Sequence, residues 1–315
     1  MTSHRRDDGT FFAWDSTMIK DAEKCARNFY YKHVEGWTAY QKSVHLVFGG
    51  HYAKALENFH KYKALGQSHD EALEAVVLEA LCETWEKSGT RDGEEIGKPW
   101  NSFDTKKTRE TLIRSIIWYV DYFQDEHTKT LRLANGKPAV EVSFKLEVDY
   151  GLIFCGHLDR VAAINEDNYI LDNKTTGTTI TTKYFDSFTP DSQMSMYTFA
   201  GKAIFDVPLR GVIIDAAQID VGSTRFDRGF AYRTEEQLDE WYDGTMELIN
   251  RINGYVLSSQ HYPTPVETFP MNATACGNYG GCEFRHVCSK SPRVRNSFLR
   301  ADFKQGWNWN PLIER

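Results

Sequence analysis

The sequence predicts an α/β protein: a mixed β-sheet flanked by helices, with a helical N-terminal region and a C-terminal end tied by cysteines. Three observations predict it. Apolar residues recur at helical spacing in several segments before residue 125. Alternating, β-rich segments crowd together between residues 139 and 174. Helix, strand and helix then follow one another toward the C-terminus. With 315 residues, 41% hydrophobic and 14% aromatic, the chain can bury a large core, and one domain over 1–315 is expected.

The first helix is expected from Asp15 to about Val34, with Ser16 as N-cap and Met18, Ile19, Ala22, Cys25, Ala26, Phe29 and Tyr30 at helical spacing. A second starts after Gly49-Gly50 and carries His51, Ala55, Leu56 and Phe59. Ser68 to Trp85 forms a third, with Ala72, Ala75, Val76, Leu78, Ala80 and Leu81 apolar. Ser88 to Trp100, with Gly89, Gly93, Gly97 and Pro99, reads as a loop. Thr108 to Gln124 is helical, so the span 61–136 is expected to be a helical insert. Strands follow at Ala139 to Val148, Leu152 to Ile164 and Tyr169 to Lys174, with turns at Asp149-Tyr150-Gly151 and Asn165-Glu166-Asp167-Asn168. Pro190 opens a helix behind Thr189 as N-cap, and Leu209 to Ile219 is a strand. Thr234 and Gln237 fit a capping box for a last long helix to about Leu257.

Net charge is −7, which argues against bulk electrostatic capture of nucleic acid but leaves room for a local basic groove. No window holds the roughly 18 apolar residues that a membrane span needs. The start Met1-Thr2-Ser3-His4-Arg5-Arg6 has no apolar stretch behind its charges and is not a secretory signal. A soluble, cytoplasmic protein without a membrane partner is expected.

Three short segments then carry the chemistry: Gly156-His157-Leu158-Asp159-Arg160, Asp172-Asn173-Lys174, and Gln193 to Tyr197. Asp172 and Lys174 share a strand face because side chains alternate with period two. With a turn of two or four residues before it, Asp159 is expected opposite Lys174 with Asp172 diagonal to it, about 7–8 Å away and close enough to share one cation. Asn173 points the other way, but its backbone carbonyl is a further oxygen ligand. Oxygen ligands from few carboxylates suit Mg²⁺ or Mn²⁺. Such a cation lowers the pKa of a bound water and offsets charge on a phosphate, and Lys174 is placed to assist. Gln193 and Tyr197 share a helix face and suit a phosphate. His51 is a candidate further metal ligand. Glu141, on the preceding strand, is a weaker candidate. Each piece alone is commonplace: an Asp-Arg pair is usually surface, and Asp-x-Lys arises by chance. The ordered set is far more specific.

Six cysteines are present, and three of them, Cys276, Cys282 and Cys288, fall within one turn-rich loop. In a reducing compartment such clustering points to metal rather than disulfides. Three thiols need a fourth ligand to close a tetrahedral site, and Cys25 is the natural candidate, with His286 an alternative in a zinc site. Four thiolates take Zn²⁺ or an iron–sulfur cluster. Cys82 and Cys155 read as buried small hydrophobes. Basic residues Lys290, Arg293, Arg295 and Arg300 follow the trio.

His51, Gly156-x-x-Asp159-Arg160, Asp172-x-Lys174 and Gln193-x-x-x-Tyr197 together resemble the motifs of the PD-(D/E)XK nuclease superfamily, in its RecB/AddB-type branch, which includes CRISPR-adaptation exonucleases and phage proteins. The resemblance implies a restriction-endonuclease-like sheet. It implies metal binding by residues matching His51, Asp159 and Asp172, an active-site role for Lys174, and an auxiliary motif in Gln193 and Tyr197. Lys24-Cys25-Ala26-Arg27-Asn28-Phe29-Tyr30-Tyr31 resembles the start of iron–sulfur nucleases in that branch. There a lone N-terminal cysteine and a C-terminal trio hold a 4Fe–4S cluster that staples the chain ends. The chain departs from that pattern at Ala26, where proline is usual, and in the five residues between Cys276 and Cys282, where two are commonest. The implied function is a metal-dependent exonuclease on single-stranded or linear DNA; repair, phage recombination, genome processing and CRISPR-like acquisition all stay open as its pathway. No Gly-x-x-x-x-Gly-Lys-Ser/Thr motif is present, so a helicase or recombination motor would be a separate partner. The competing readings are a nucleic-acid end-binding accessory protein without turnover and a zinc-stapled interaction module.

Overall fold

The computed structural model describes residues 4–40, 43–91, 94–307 and 309–314; Met1-Thr2-Ser3 and Gly93, which entered the expectations above, lie outside them. The elements run in chain order as β1 (Ala13–Trp14), α1 (Ser16–Lys24), α2 (Ala26–Phe29) with a π-helical turn Tyr30–Val34, and β2 (Trp37–Ala39). Then come α3 (Val44–Ala64), α4 (His69–Glu83), β3 (Trp85–Arg91), β4 (Glu94–Pro99), α5 (Arg109–Tyr122) and β5 (Thr128–Thr130). The central stretch is β6 (Val140–Val148), β7 (Leu152–Ile164), β8 (Asp167–Thr176), α6 (Thr182–Asp186), α7 (Ser192–Ile204), β9 (Leu209–Ile219) and β10 (Thr224–Ala231). Last come α8 (Glu235–Ser259), α9 (Arg285–Cys288), α10 (Arg295–Asp302) and β11 (Phe303–Gln305). The chain forms two compact units, one of Met1–Gln41, Ser143–Gly156 and Thr234–Arg315, the other of Lys42–Val142 and His157–Arg233.

The second unit is built on a mixed sheet flanked by helices, as expected. β7 pairs antiparallel with β8, β8 parallel with β9, β9 antiparallel with β10, and β5 antiparallel with β7. Helices α3, α4 and α5 bury one face against Ala217, Ile219 and Phe226. On the other face α7 packs on β8 and β9. Gly201 allows that approach, since a Cβ there would lie 2.6 Å from Leu209 Cδ1 and 2.7 Å from Ile170 Cδ1.

Four expectations change here. Gly49-Gly50 lies inside α3 rather than before it; a Cβ on Gly49 would already touch Thr175 Oγ1 at 3.4 Å, so the helix gains close contact with β8. The expected loop Ser88 to Trp100 is mostly a hairpin of β3 and β4. Its Gly97 gives way to the Trp85 ring, whose Nε1 would sit 1.8 Å from a Cβ there. The span 61–136, expected as helical, therefore also carries a hairpin and β5. Helix α7 is capped by Asp191, not Thr189; its carboxylate accepts from Gln193 N at 2.9 Å and Met194 N at 3.1 Å, which satisfies two free donors of the first turn.

The first unit gathers both chain ends into one aromatic core. Trp14 stacks on Phe29 at 5.4 Å, Tyr31 meets Phe284 at 5.1 Å, and Phe284 stacks on Phe303 at 4.7 Å. β1 pairs parallel with Ile153 and Phe154 of β7, and β2 pairs antiparallel with β11. Asp15, not Ser16, caps the first helix by accepting from Met18 N. That helix also does not run through to Val34: Cys25 is extended and divides α1 from α2. The Thr234–Gln237 capping box of α8 forms as expected.

Candidate functional site

β7 and β8 are joined by a two-residue turn, Asn165-Glu166, and pair from Ile164↔Asp167 to Arg160↔Leu171. One step further, this register sets Asp159 opposite Asp172. The expectation that Asp159 faces Lys174 with Asp172 diagonal is thereby corrected: only a four-residue turn would have produced it. Directly opposed residues are nearer than diagonal ones, and the Asp172 charge does act on Asp159. Alternation along β8 puts Asp172 and Lys174 on the face that Ile170 shares with α7.

Charge is concentrated there. Asp172 is 1% exposed, and Lys174 Nζ lies 2.5 Å from its Oδ2. Asp159 Oδ2 accepts from the Asn173 amide at 3.0 Å. Burial raises the Asp159 pKa, and the Asp172 charge raises it further; Lys174 and the Asn173 amide only partly compensate, and Glu141 adds a little more. Burial works against the Lys174 ammonium, but Asp172 and then Asp159 outweigh it and hold its pKa above the ordinary lysine value. A single ammonium thus serves two carboxylates. The excess negative charge and the all-oxygen donors fit a hard divalent cation.

Helix α7 supplies the next layer. Gln193 Nε2 donates to the Tyr197 hydroxyl at 2.9 Å. Burial, then Asp172 and Asp159, hold the Tyr197 pKa well above its usual value, so the phenol keeps its proton. Arg233 fixes the start of the helix by donating to Ser195 Oγ at 2.9 Å and to the Phe188 carbonyl at 3.2 Å.

The described contacts of His51 are with Glu83 and Trp100. Its Nδ1 lies 3.6 Å from Glu83 Oε2, and its ring centroid is 6.4 Å from that of Trp100. Asn173 contributes through its backbone, and no preformed set of three His, Cys, Asp or Glu ligands occurs among the described residues. Three neighbours escaped the sequence reading or were given little weight. Asp191 caps α7 and adds its charge beside Lys174. Tyr184 stands in the field of Asp172; burial, then that charge, push its pKa up to about 12. Glu141 acts on Asp159 and Tyr197 from a left-handed backbone at φ 51°, unusual for a non-glycine residue. An N-cap aspartate just ahead of Gln193 was the one usable signal for Asp191.

In the first unit, Cys25, Cys276, Cys282 and Cys288 line one small cavity, together with Asn28 and Phe284. Cys25 Sγ accepts from the Asn272 amide at 3.3 Å. Burial raises the pKa of the Cys282 thiol and pushes that of Cys288 up to about 11. The soft donor set and shared cavity suit a thiophilic metal, although the thiols are not drawn into ligating geometry. His286 does not join them; its Nε2 lies 2.9 Å from Asp302 Oδ2. Cys155 is buried as expected, whereas Cys82 is exposed.

No helix among the described residues is long and apolar enough to cross a membrane. A search of curated proteins found no match. The profile of the PD-(D/E)XK nuclease superfamily matches residues 16–289, a span that includes the opposed aspartates, the lysine, α7 and all four clustered cysteines. The chain therefore belongs to the PD-(D/E)XK nuclease superfamily, whose nucleases generally use Mg²⁺ or Mn²⁺.

Proposed function

We propose that the protein is a Mg²⁺- or Mn²⁺-dependent exonuclease that hydrolyses phosphodiester bonds of single-stranded or linear DNA. The observation that supports it most is the meeting of Asp159, Asp172 and Lys174 on one sheet face, beside Gln193 and Tyr197. Asp159 and Asp172 would hold the cation on carboxylate oxygens, with the Asn173 carbonyl as a further donor. When bound, the cation would supply Lewis-acid stabilisation of phosphate charge and activation of water. Lys174, kept charged by its two carboxylates, would orient the attacking water or neutralise charge developing on the phosphate. Tyr197 accepts from Gln193, which leaves its own proton to donate to a phosphate oxygen. His51 would be a further ligand by the likeness to the superfamily's motifs. The preference for ends over internal sites rests on the likeness to RecB/AddB-type exonucleases.

The four thiols belong to the same proposal as a structural metal centre, 4Fe–4S by that likeness and Zn²⁺ as the alternative. Residues from both chain ends would close it, so binding would be linked to folding of the first unit.

The test is incubation of anaerobically purified protein with labelled linear and circular DNA plus Mg²⁺ or Mn²⁺. Linear DNA is expected to be degraded and circular DNA spared, with activity lost in Asp172→Asn and Lys174→Ala while circular dichroism stays unchanged. Equal degradation by wild type and Lys174→Ala would overturn the nuclease assignment. Stable binding of DNA ends without turnover would establish the accessory reading instead.

A further inference from the structure

Strand β7 turns Asp159 toward α7, and the next residue, Arg160, toward the opposite face. There the second unit holds a cavity of about 370 Å³ between α3, α5 and β5. Five cations line it, Lys63, Lys129, Arg132, Arg160 and Arg228, against one acid, Glu126. Arg228 is already neutralised. Its Nη2 lies 2.9 Å from Asp215 Oδ2, and its Nη1 pairs with Glu126. Arg160 has no ion pair of its own among the described residues. It is 5% exposed and its hydrogen bonds are neutral: Nε donates to Thr130 Oγ1 at 3.0 Å and Nη1 to His60 Nε2 at 3.2 Å. Asp215 and Glu126, both engaged by Arg228, act on it only through space.

His60 brings no charge of its own. Burial, then the two arginines, drive its pKa well below the usual value, so it stays a neutral acceptor. Arg132 donates only to the carbonyls of Gly136 at 2.8 Å and Ala64 at 2.6 Å. Lys63 reaches only the Gln67 carbonyl, at 3.3 Å. Lys129, Lys63 and Arg132 are exposed and ring the opening, while Arg160 lies deep. The hydroxyl of Thr128, which also faces the cavity, is buried and has no hydrogen-bond partner.

Burying an arginine without a direct carboxylate partner is costly, and such groups are ordinarily paired. The excess of cations over acids in the lining suits a small multivalent anion. Guanidinium groups suit phosphate by their planar fork, and the lysines add point charge. Phe59, Tyr119 and Phe123 supply apolar wall, and the volume falls in the range of small-molecule sites, about 300–1,000 Å³. We propose that this cavity binds a small phosphorylated anion of nucleotide size, with its phosphate on Arg160 and the rim cations and its organic part against the aromatic wall.

The assignment is independent of catalysis, so it is tested without divalent metal. Isothermal titration of the full chain in EDTA would use deoxyadenosine monophosphate, deoxyadenosine, inorganic phosphate, and a short single-stranded oligonucleotide with and without a 5′-phosphate. The monophosphate is expected to bind more tightly than phosphate, and the nucleoside not at all. Lys129→Gln/Arg132→Gln, two exposed positions, with circular dichroism and the denaturation midpoint read alongside, is expected to weaken binding about tenfold or more. Arg160→Gln is expected to abolish it, and the double variant carries the test if Arg160→Gln does not fold. Absence of binding, or binding unchanged in the double variant, overturns the site. Equal affinity for inorganic phosphate overturns the nucleotide size. Binding of the 5′-phosphorylated oligonucleotide alone overturns the small-molecule assignment in favour of a DNA contact.

Discussion

Replacing Asp159 with asparagine is expected to stabilise the metal-free protein while abolishing nuclease activity. The two effects share one cause. Asp159 faces Asp172, and burial and that like charge push its carboxyl from 3.8 to about 7. At about 1.4 kcal/mol for each tenfold change, ionising it in the folded state costs about 4 kcal/mol relative to the unfolded chain. Solvent reaching the half-buried group, and relaxation of the pair, reduce this to roughly 1–3 kcal/mol. Asparagine removes the charge but keeps an oxygen to accept from the Asn173 amide, so little else is lost.

The sign follows from proton linkage. The folded protein holds this proton more tightly than the unfolded chain does. Metal-free wild type is therefore relatively most stable below the unfolded carboxyl value of 3.8, and this contribution is lost as pH rises toward about 7. Urea denaturation in EDTA at about pH 8 is expected to show Asp159→Asn more stable than wild type, and at about pH 5 the gap closes by half or more. Adding Mg²⁺ at the higher pH is expected to stabilise wild type and leave the variant unmoved. A variant less stable than wild type in EDTA, or equally stabilised by Mg²⁺, would refute the reasoning.

Four further outcomes test separate parts of the structure. Glu141→Gly is expected to stay within about 1 kcal/mol of wild type in urea melts, because the left-handed backbone suits glycine and offsets its extra flexibility; DNA cleavage is nonetheless expected to fall with the lost carboxylate. Gly201→Ala drives a methyl into Leu209 and Ile170, and is expected to cost about 1–3 kcal/mol and lower kcat by displacing the helix that bears Gln193 and Tyr197. Arg228→Met leaves the buried Asp215 carboxylate with the Tyr119 hydroxyl at 2.6 Å as its remaining described partner, and is expected to cost about 3–5 kcal/mol by denaturation midpoint. Cys282→Ser is expected to lower bound iron or zinc, measured by elemental analysis, and to lower Tm; unchanged metal content would remove that cysteine from the centre.

Much of the frame was legible because it rests on short-range periodicity. β7 and β9 begin and end where alternation placed them, and Thr234 and Gln237 cap α8 as their spacing suggested. The errors arose where a residue serves a partner distant in sequence. Gly49 and Gly97 read as breakers but make room for Thr175 and the Trp85 ring. β10 was missed since Arg228 hides its alternation, and only Asp215 and Glu126 explain a half-buried arginine there. The helix break at Cys25 answers to Asn272, far along the chain. At the site, the residue types of Asp172, Lys174, Gln193 and Tyr197 were plain from spacing, while the partner of Asp159 depended on a turn length that propensity does not determine. The basic cavity left no motif, since its cations come from α3, β5, β7 and β10 and the segment just after β5.

That turn has a genetic consequence. Asn165-Glu166 sets which residue of one hairpin arm meets which of the other. Insertion of a single codon there would offset the arms by one place, exchanging acid for guanidinium across the sheet and sending each into the wrong chamber. A two-codon insertion would restore facing and merely move the acid along its own side. Length variation at this tip is therefore expected to survive in even steps and fail in odd ones, a parity rule imposed by two adjacent side chains with opposite errands.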